Sequence, residues 1–139
     1  MSVVTAPLSL RGGTGETMSD VAGAILVVED EFLLRLLIVE ELEDEGFEVF
    51  EAANAAGAIR ILEQHDTIRV LLTDVDLASG PNGIELGRLV RSRWPPIKII
   101  VTSGHWVFEE GELAFAERFL PKPCSGGIIP RTIRDCLAI

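Results

Sequence analysis

The sequence predicts an α/β domain built on a five-stranded parallel sheet with helices on both faces. Three observations carry this reading. Short apolar runs of the kind buried inside a sheet recur at residues 24–28, 70–72 and 97–101. Stretches with helical spacing alternate with the strand patterns, which implies right-handed crossovers between parallel strands. Several of the strands hand over at their ends to a polar residue, and in open α/β sheets that carboxyl edge is where ligands bind.

At 139 residues, the chain has the size of one ordinary domain, and its 47% apolar content can bury a core. Twelve basic residues against 22 acidic ones leave a net charge of −10. That balance argues against a nucleic-acid surface, which needs clustered Lys and Arg, and leaves room for an acidic site that draws in a dication. No run approaches the ~18–20 apolar residues of a membrane span. No basic segment followed by a long apolar stretch opens the chain, so no secretory signal is expected. Cys124 and Cys136 form no CxxC pair and are too few for a zinc site; they read as reduced, partly buried thiols of a cytoplasmic protein.

Residues 1–23 are rich in Ser, Thr, Gly and Ala, show no periodicity, and read as a flexible N-terminal lead before a folded domain at 24–139. Met18 offers a second start, so the first 17 residues are expected to be dispensable. Ala24–Val28 is the first strand, followed at once by Glu29, Asp30 and Glu31. From Phe32 to Glu45 the spacing is helical, with Leu34, Leu37, Ile38 and Leu42 on one face and Gly46 as the stop. The first half of this helix is apolar nearly all round, so its surplus is either extra core or a contact patch for a partner helix. Phe47–Ala52 alternates like a strand, and Asn54 caps a helix over about Ala55–Gln64. The third strand, from Val70, ends on Asp74. After a Gly/Pro/Asn loop, Asn82 and Glu85 form a capping box for a helix running to about Arg93, which Pro95 and Pro96 stop. Ile97–Val101 is the fourth strand, ending on Thr102. A poorly signalled helix is expected around Leu113–Ala116, interrupted by Gly111. Arg118–Leu120 is a short fifth strand leading into Lys122, and a last helix places Ile129, Ile133, Cys136 and Leu137 on one face.

In a parallel sheet, Glu29, Asp30, Asp74, Thr102 and Lys122 all arrive at the same edge. A lone carboxylate at a strand end does no more than cap a loop; three of them with an ammonium and a hydroxyl make a chemical set. Carboxylates repel unless a cation sits among them, and Mg²⁺ suits carboxylates, a carbonyl and waters. Asp74 is then a nucleophile towards phosphorus, with Lys122 neutralising the transferred group and Thr102 donating a hydrogen bond.

The chain from about Ala24 to Ile139 resembles a bacterial response-regulator receiver domain. The resemblance rests on Leu26–Glu31, Leu72–Asp74, Asn82–Gly83, Val101–Gly104 and Phe119–Pro123, five pieces in the right order. It implies a flavodoxin-like (βα)5 fold of strand order 2-1-3-4-5. It also implies phosphorylation of Asp74 by a sensor histidine kinase or a phosphorelay protein of a two-component system. By the same resemblance Mg²⁺ is held by Glu29 or Asp30 with Asp74 and the backbone carbonyl of Asp76. Lys122 meets the phosphoryl group, the Lys122–Pro123 bond is cis, Thr102 follows the phosphoryl group and Phe119 takes the aromatic switch position. The chain departs from the family's common pattern in its Glu–Asp acidic pair, in Gly83 lying nine residues after Asp74, and in its irregular fourth helix.

The resemblance implies a signalling domain rather than an enzyme, with at most slow loss of its own phosphate. No output segment is expected after the receiver, so the output is a downstream protein, a homodimer or relay of the phosphate, with no nucleic acid or membrane. Two alternatives stand beside it. One is a phosphatase of the haloacid-dehalogenase type, whose DxD motif Asp74–Val75–Asp76 resembles, although that family's nucleophile sits on the first strand. The other is a receiver-shaped interaction module that takes no phosphate.

Overall fold

A computed structural model of the chain describes residues 3–5, 23–104 and 108–139. Val3–Thr5 (β1) falls inside the stretch expected to be a flexible lead, yet it is a strand. It pairs antiparallel with the edge of the sheet, Val3 opposite Glu51 and Thr5 opposite Val49. Three β-branched residues in a row favour extended chain, and the strand they meet is otherwise an open edge. The rest of the lead, residues 1–2 and 6–22 with Met18, lies outside the described residues, as does His105–Val107.

Ala24–Val28 (β2) is buried along its whole length because both its faces are covered. Phe32–Asp44 (α1) follows, then Glu48–Ala52 (β3), Ala55–Gln64 (α2) and Ile68–Asp74 (β4). Gly83–Arg93 (α3), Lys98–Ser103 (β5), Arg118–Pro121 (β6) and Ile128–Leu137 (α4) complete the fold. The five parallel strands run β3-β2-β4-β5-β6, which is 2-1-3-4-5 in chain order, with β1 beyond β3. The alternation of side chains along each strand divides the core in two. Leu26, Val28, Phe50, Leu71 and Ile99 meet α2 and α3, whereas Ile25, Val27, Val49, Leu72 and Ile100 meet α1 and α4.

The helix starts are built as the sequence signals. Asn54 Oδ1 accepts from the Gly57 N–H at 2.8 Å. Asn82 and Glu85 exchange both bonds of a capping box, each 2.9 Å. Gly83, the first residue of α3, has no room for a side chain: a Cβ there would lie 1.9 Å from the Asp74 carbonyl oxygen. The first turn of α3 therefore rests directly on the backbone of Asp74.

Two further expectations change. The helix expected around Leu113–Ala116 is absent from the described residues. Residues 110–115 run as successive turns, closed by bonds three residues apart such as Glu112 N–H to Glu109 O and Ala114 N–H to Gly111 O. Gly111 is in the left-handed region at φ 82° and the segment has no apolar stripe, so nothing drives a helix past it. On α1, Leu37 is not in the core. Ile38, Val39 and Leu42 are buried and Leu34 is half-buried, whereas Phe32, Leu33 and Leu37 are 62–66% exposed. The first half of this helix is apolar on nearly every side and so has no stripe by which the sequence could tell inward from outward.

This face assignment is testable by urea unfolding. Leu37→Ser should change stability by no more than about 0.5 kcal/mol, as at ordinary surface positions. Ile38→Ala should cost about 2–5 kcal/mol, the usual range for emptying a buried aliphatic site.

Candidate functional site

The site forms because three strands end along the same edge of the sheet, β2 and β4 as neighbours and β6 beyond β5. β2 ends at Val28 and delivers Glu29 and Asp30; β4 ends on Asp74; β6 ends at Pro121 and delivers Lys122. Glu29 and Asp74 are only 2% and 5% exposed, and Asp30 is half-buried beside them. One carboxylate oxygen of each lies within 4.8 Å of the other two.

Lys122 holds the buried pair together. Its Nζ donates to Asp74 Oδ2 at 2.9 Å and to Glu29 Oε1 at 3.1 Å. Burial by itself would lower the Lys122 ammonium, but its hydrogen bonds to Asp74 and Glu29 outweigh that and hold its pKa above the ordinary lysine value. Burial pushes the Glu29 carboxyl up, against the lowering effect of the Glu31 N–H and Lys122. The remaining oxygens are also engaged: Glu29 Oε2 accepts from the Glu31 N–H at 3.1 Å, and Asp74 Oδ1 from the Asp76 N–H at 3.2 Å. The backbone of Lys122 is fixed by its N–H to the Ser103 carbonyl at 2.9 Å, and the Lys122–Pro123 bond is cis.

Formally, three carboxylates face one ammonium, a surplus of two negative charges. The donors are all oxygen, which is the chemistry a hard dication takes and a zinc or copper site does not. The residues therefore fit a divalent ion of the Mg²⁺ type.

Thr102 is buried one strand over, in register with Asp74, and its carbonyl accepts from the Val75 N–H at 2.9 Å. Together with Lys122 it lines a cavity of about 390 Å³ whose other walls are Leu34, Ile38, Pro123, Cys124 and Ile129. Asp76 is exposed on the loop after β4. Phe119 is not among the charged groups. It is half-buried on the α2/α3 side of the sheet, its ring edge-on to Phe108 at 5.4 Å between centroids. Cys124 and Cys136 are free, half-buried thiols, each pushed up by burial.

Arg35 was not singled out from the sequence, although it belongs to the site's support. Its NH1 donates to the Glu29 carbonyl at 2.7 Å and its Nε to Glu51 Oε1 at 2.9 Å, tying α1 and β3 to the acidic end of β2. The signal was there: Arg35 is the one cation in α1, set in its apolar first half.

The chain is similar to known proteins in sequence and fold. The family model for the response regulator receiver domain matches residues 25–134. An NtrX-like response regulator of Rickettsia felis is 34% identical over 85 residues, which is 61% of this chain and 18% of that protein. The sensor kinase CckA of Brucella abortus is 32% identical over 143 residues, covering 95% of this chain and 14% of that kinase. The chain thus spans less than a fifth of the length of these relatives. A response regulator receiver domain protein of Clostridium thermocellum, solved by crystallography, superposes with a TM-score of 0.76 at 26% identity, covering 84% of this chain and 94% of that one.

Removing the bridging ammonium exposes what it balances. Lys122→Ala should cost about 3 kcal/mol in urea unfolding with chelator present, the low end for stripping a buried ion pair of one partner. A loss below about 1 kcal/mol would mean that the carboxylates do not depend on it.

Proposed function

Because the chain belongs to the response-regulator receiver family, we propose that it takes a phosphoryl group on Asp74 from a sensor histidine kinase or a phosphotransfer protein. The observation that carries this is the meeting of Asp74 with Glu29, Asp30 and Lys122 at one sheet edge. A carboxylate oxygen of Asp74 attacks phosphorus in line. The bond from phosphorus to the donor imidazole breaks, and the imidazole keeps the electron pair. Lys122, protonated and already against Asp74, follows the new negative charge. Thr102 donates its hydroxyl to a phosphoryl oxygen.

Mg²⁺ is the cofactor in this reading. Glu29, Asp30, Asp74 and the backbone carbonyl of Asp76 would hold it, and it would supply positive charge to balance the phosphoryl oxygens. The acyl phosphate is lost only slowly, so the domain signals rather than turns over a substrate. Phosphorylation shifts a pre-existing balance between two surfaces, and Phe119 serves as the aromatic switch. The output is a protein partner, a second copy of the chain or onward relay of the phosphate, in the cytoplasm.

The donor's approach is set by α1. Phe32, Leu33 and Leu37 are exposed on the helix whose Leu34 and Ile38 wall the cavity beside Lys122. An amphipathic helix of the donor docked there brings a histidine to Asp74.

Two measurements test the reading. Acetyl phosphate with Mg²⁺ should label the wild type stoichiometrically and Asp74→Asn not at all; equal labelling of both rejects Asp74 as acceptor. Leu37→Ser should slow transfer from the donor roughly tenfold, as for a moderate interface hot spot, while labelling by acetyl phosphate stays unchanged.

A further inference from the structure

Glu29 is held at every polar atom. Its N–H donates to the Ala52 carbonyl at 3.1 Å, its Oε2 accepts from the Glu31 N–H and its Oε1 from Lys122. The last atom, its carbonyl oxygen, accepts from Arg35 NH1 at 2.7 Å. That carbonyl belongs to the peptide unit joining Glu29 to Asp30. The unit is planar, so fixing its oxygen also fixes the Asp30 N–H and Cα. One guanidinium thus holds the piece of backbone from which two of the three acids project.

Arg35 is itself held. Its Nε donates to Glu51 Oε1 at 2.9 Å, and the two side chains are only 11% and 14% exposed. The Phe32 ring lies 5.6 Å from the guanidinium on another side. Glu51 stands on β3, which pairs with β2 on one side and with β1 on the other, so the anchor is an inner strand of the sheet. The guanidinium is a flat, rigid fork, so its two bonds set Glu51 and the Glu29 carbonyl in a fixed relation.

Charge and geometry make opposite predictions for this residue. As a cation near a site that suits a dication, Arg35 repels the metal, and its removal should tighten binding. As the clamp on the Glu29–Asp30 peptide it preorganises the acids, and its removal should loosen binding. Pairing with Glu51 offsets its charge, which leaves the geometric role the larger.

We propose that Arg35 is a positioning residue that sets the affinity of the acidic site for Mg²⁺ by clamping the Glu29–Asp30 peptide to β3. The proposal rests on the Mg²⁺ reading of the site and is independent of whether Asp74 takes the phosphoryl group.

The test is binding of Mg²⁺ to the full chain by calorimetry and of Mn²⁺, an ion of the same oxygen-ligand class, by paramagnetic resonance. Arg35→Met removes the clamp. Arg35→Met with Glu51→Gln removes the clamp and its partner's charge together, so the net charge is that of the wild type. Both should lose about tenfold or more in affinity, the usual effect of removing a group that orients metal ligands. Either one suffices should the other fail to fold. Ile61→Ala, which empties a buried site under α2 away from the acids, should lower stability and keep the wild-type affinity. In labelling by acetyl phosphate, the Arg35 variants should need about tenfold more Mg²⁺ for half the maximal rate and reach the wild-type rate at saturation. Unchanged or tighter metal binding in the folded Arg35 variants, or an equal loss in Ile61→Ala, overturns the clamp and leaves the acceptor reading intact. Failure of the wild type to bind either ion overturns the clamp together with the Mg²⁺ reading.

Discussion

One ammonium crosses the carboxyl edge of the sheet and satisfies two buried acids from strands that are neighbours in space and far apart in sequence. Without Lys122, Glu29 and Asp74 would face each other in a place where water screens little. With it, the ends of β2, β4 and β6 are drawn to a common point, and their register is fixed where the chemistry has to happen. The surplus negative charge that remains fits a hard dication and, under the proposed function, opposes a phosphoryl group unless such a cation accompanies it.

Most of the fold was legible because each element carries its own local signal. Burial on both faces makes β2, β4 and β5 continuous apolar runs, and Asn54, Asn82 and Glu85 mark helix starts by hydrogen bonds that the structure makes. The charged residues of the site were legible for a related reason, since strand ends in a parallel sheet must coincide. What was not legible depends on contacts between distant residues. Which side of α1 faces inward is decided by what it meets, not by its own near-uniform apolar surface. Arg35 acts through Glu51 on another strand, so its spacing within α1 says nothing of its role. The strand Val3–Thr5 exists only because β3 offers it an edge. The helix missing after β5 was signalled weakly, and Gly111 gave the reason.

The departures from a regular strand–helix repeat lie at the two flanks of the sheet: β1 beyond β3, and the turns between β5 and β6. α3 keeps its capping box and its packing on β4 and β5, whereas the segment after β5 gives up helical hydrogen bonding and takes its order from α3 instead. A segment held by side-chain contacts such as the Arg91–Glu117 pair and the Phe108–Phe119 ring contact takes less of its order from its own backbone than a self-supporting helix does. The two glycines of α3 are thus explained by contact rather than by flexibility: both are places where another part of the chain comes too close for a methyl group.

The flanks of the sheet have a bearing on how the protein behaves at high concentration. One flank is the three-residue β1 and the other the four-residue β6, which carries Arg118 and closes on Pro121. Strands this short offer few free backbone groups, and a proline donates none. Among the described residues the sheet's flanks therefore offer neighbouring molecules little to zip onto, even though its central strands are among the most apolar segments of the chain.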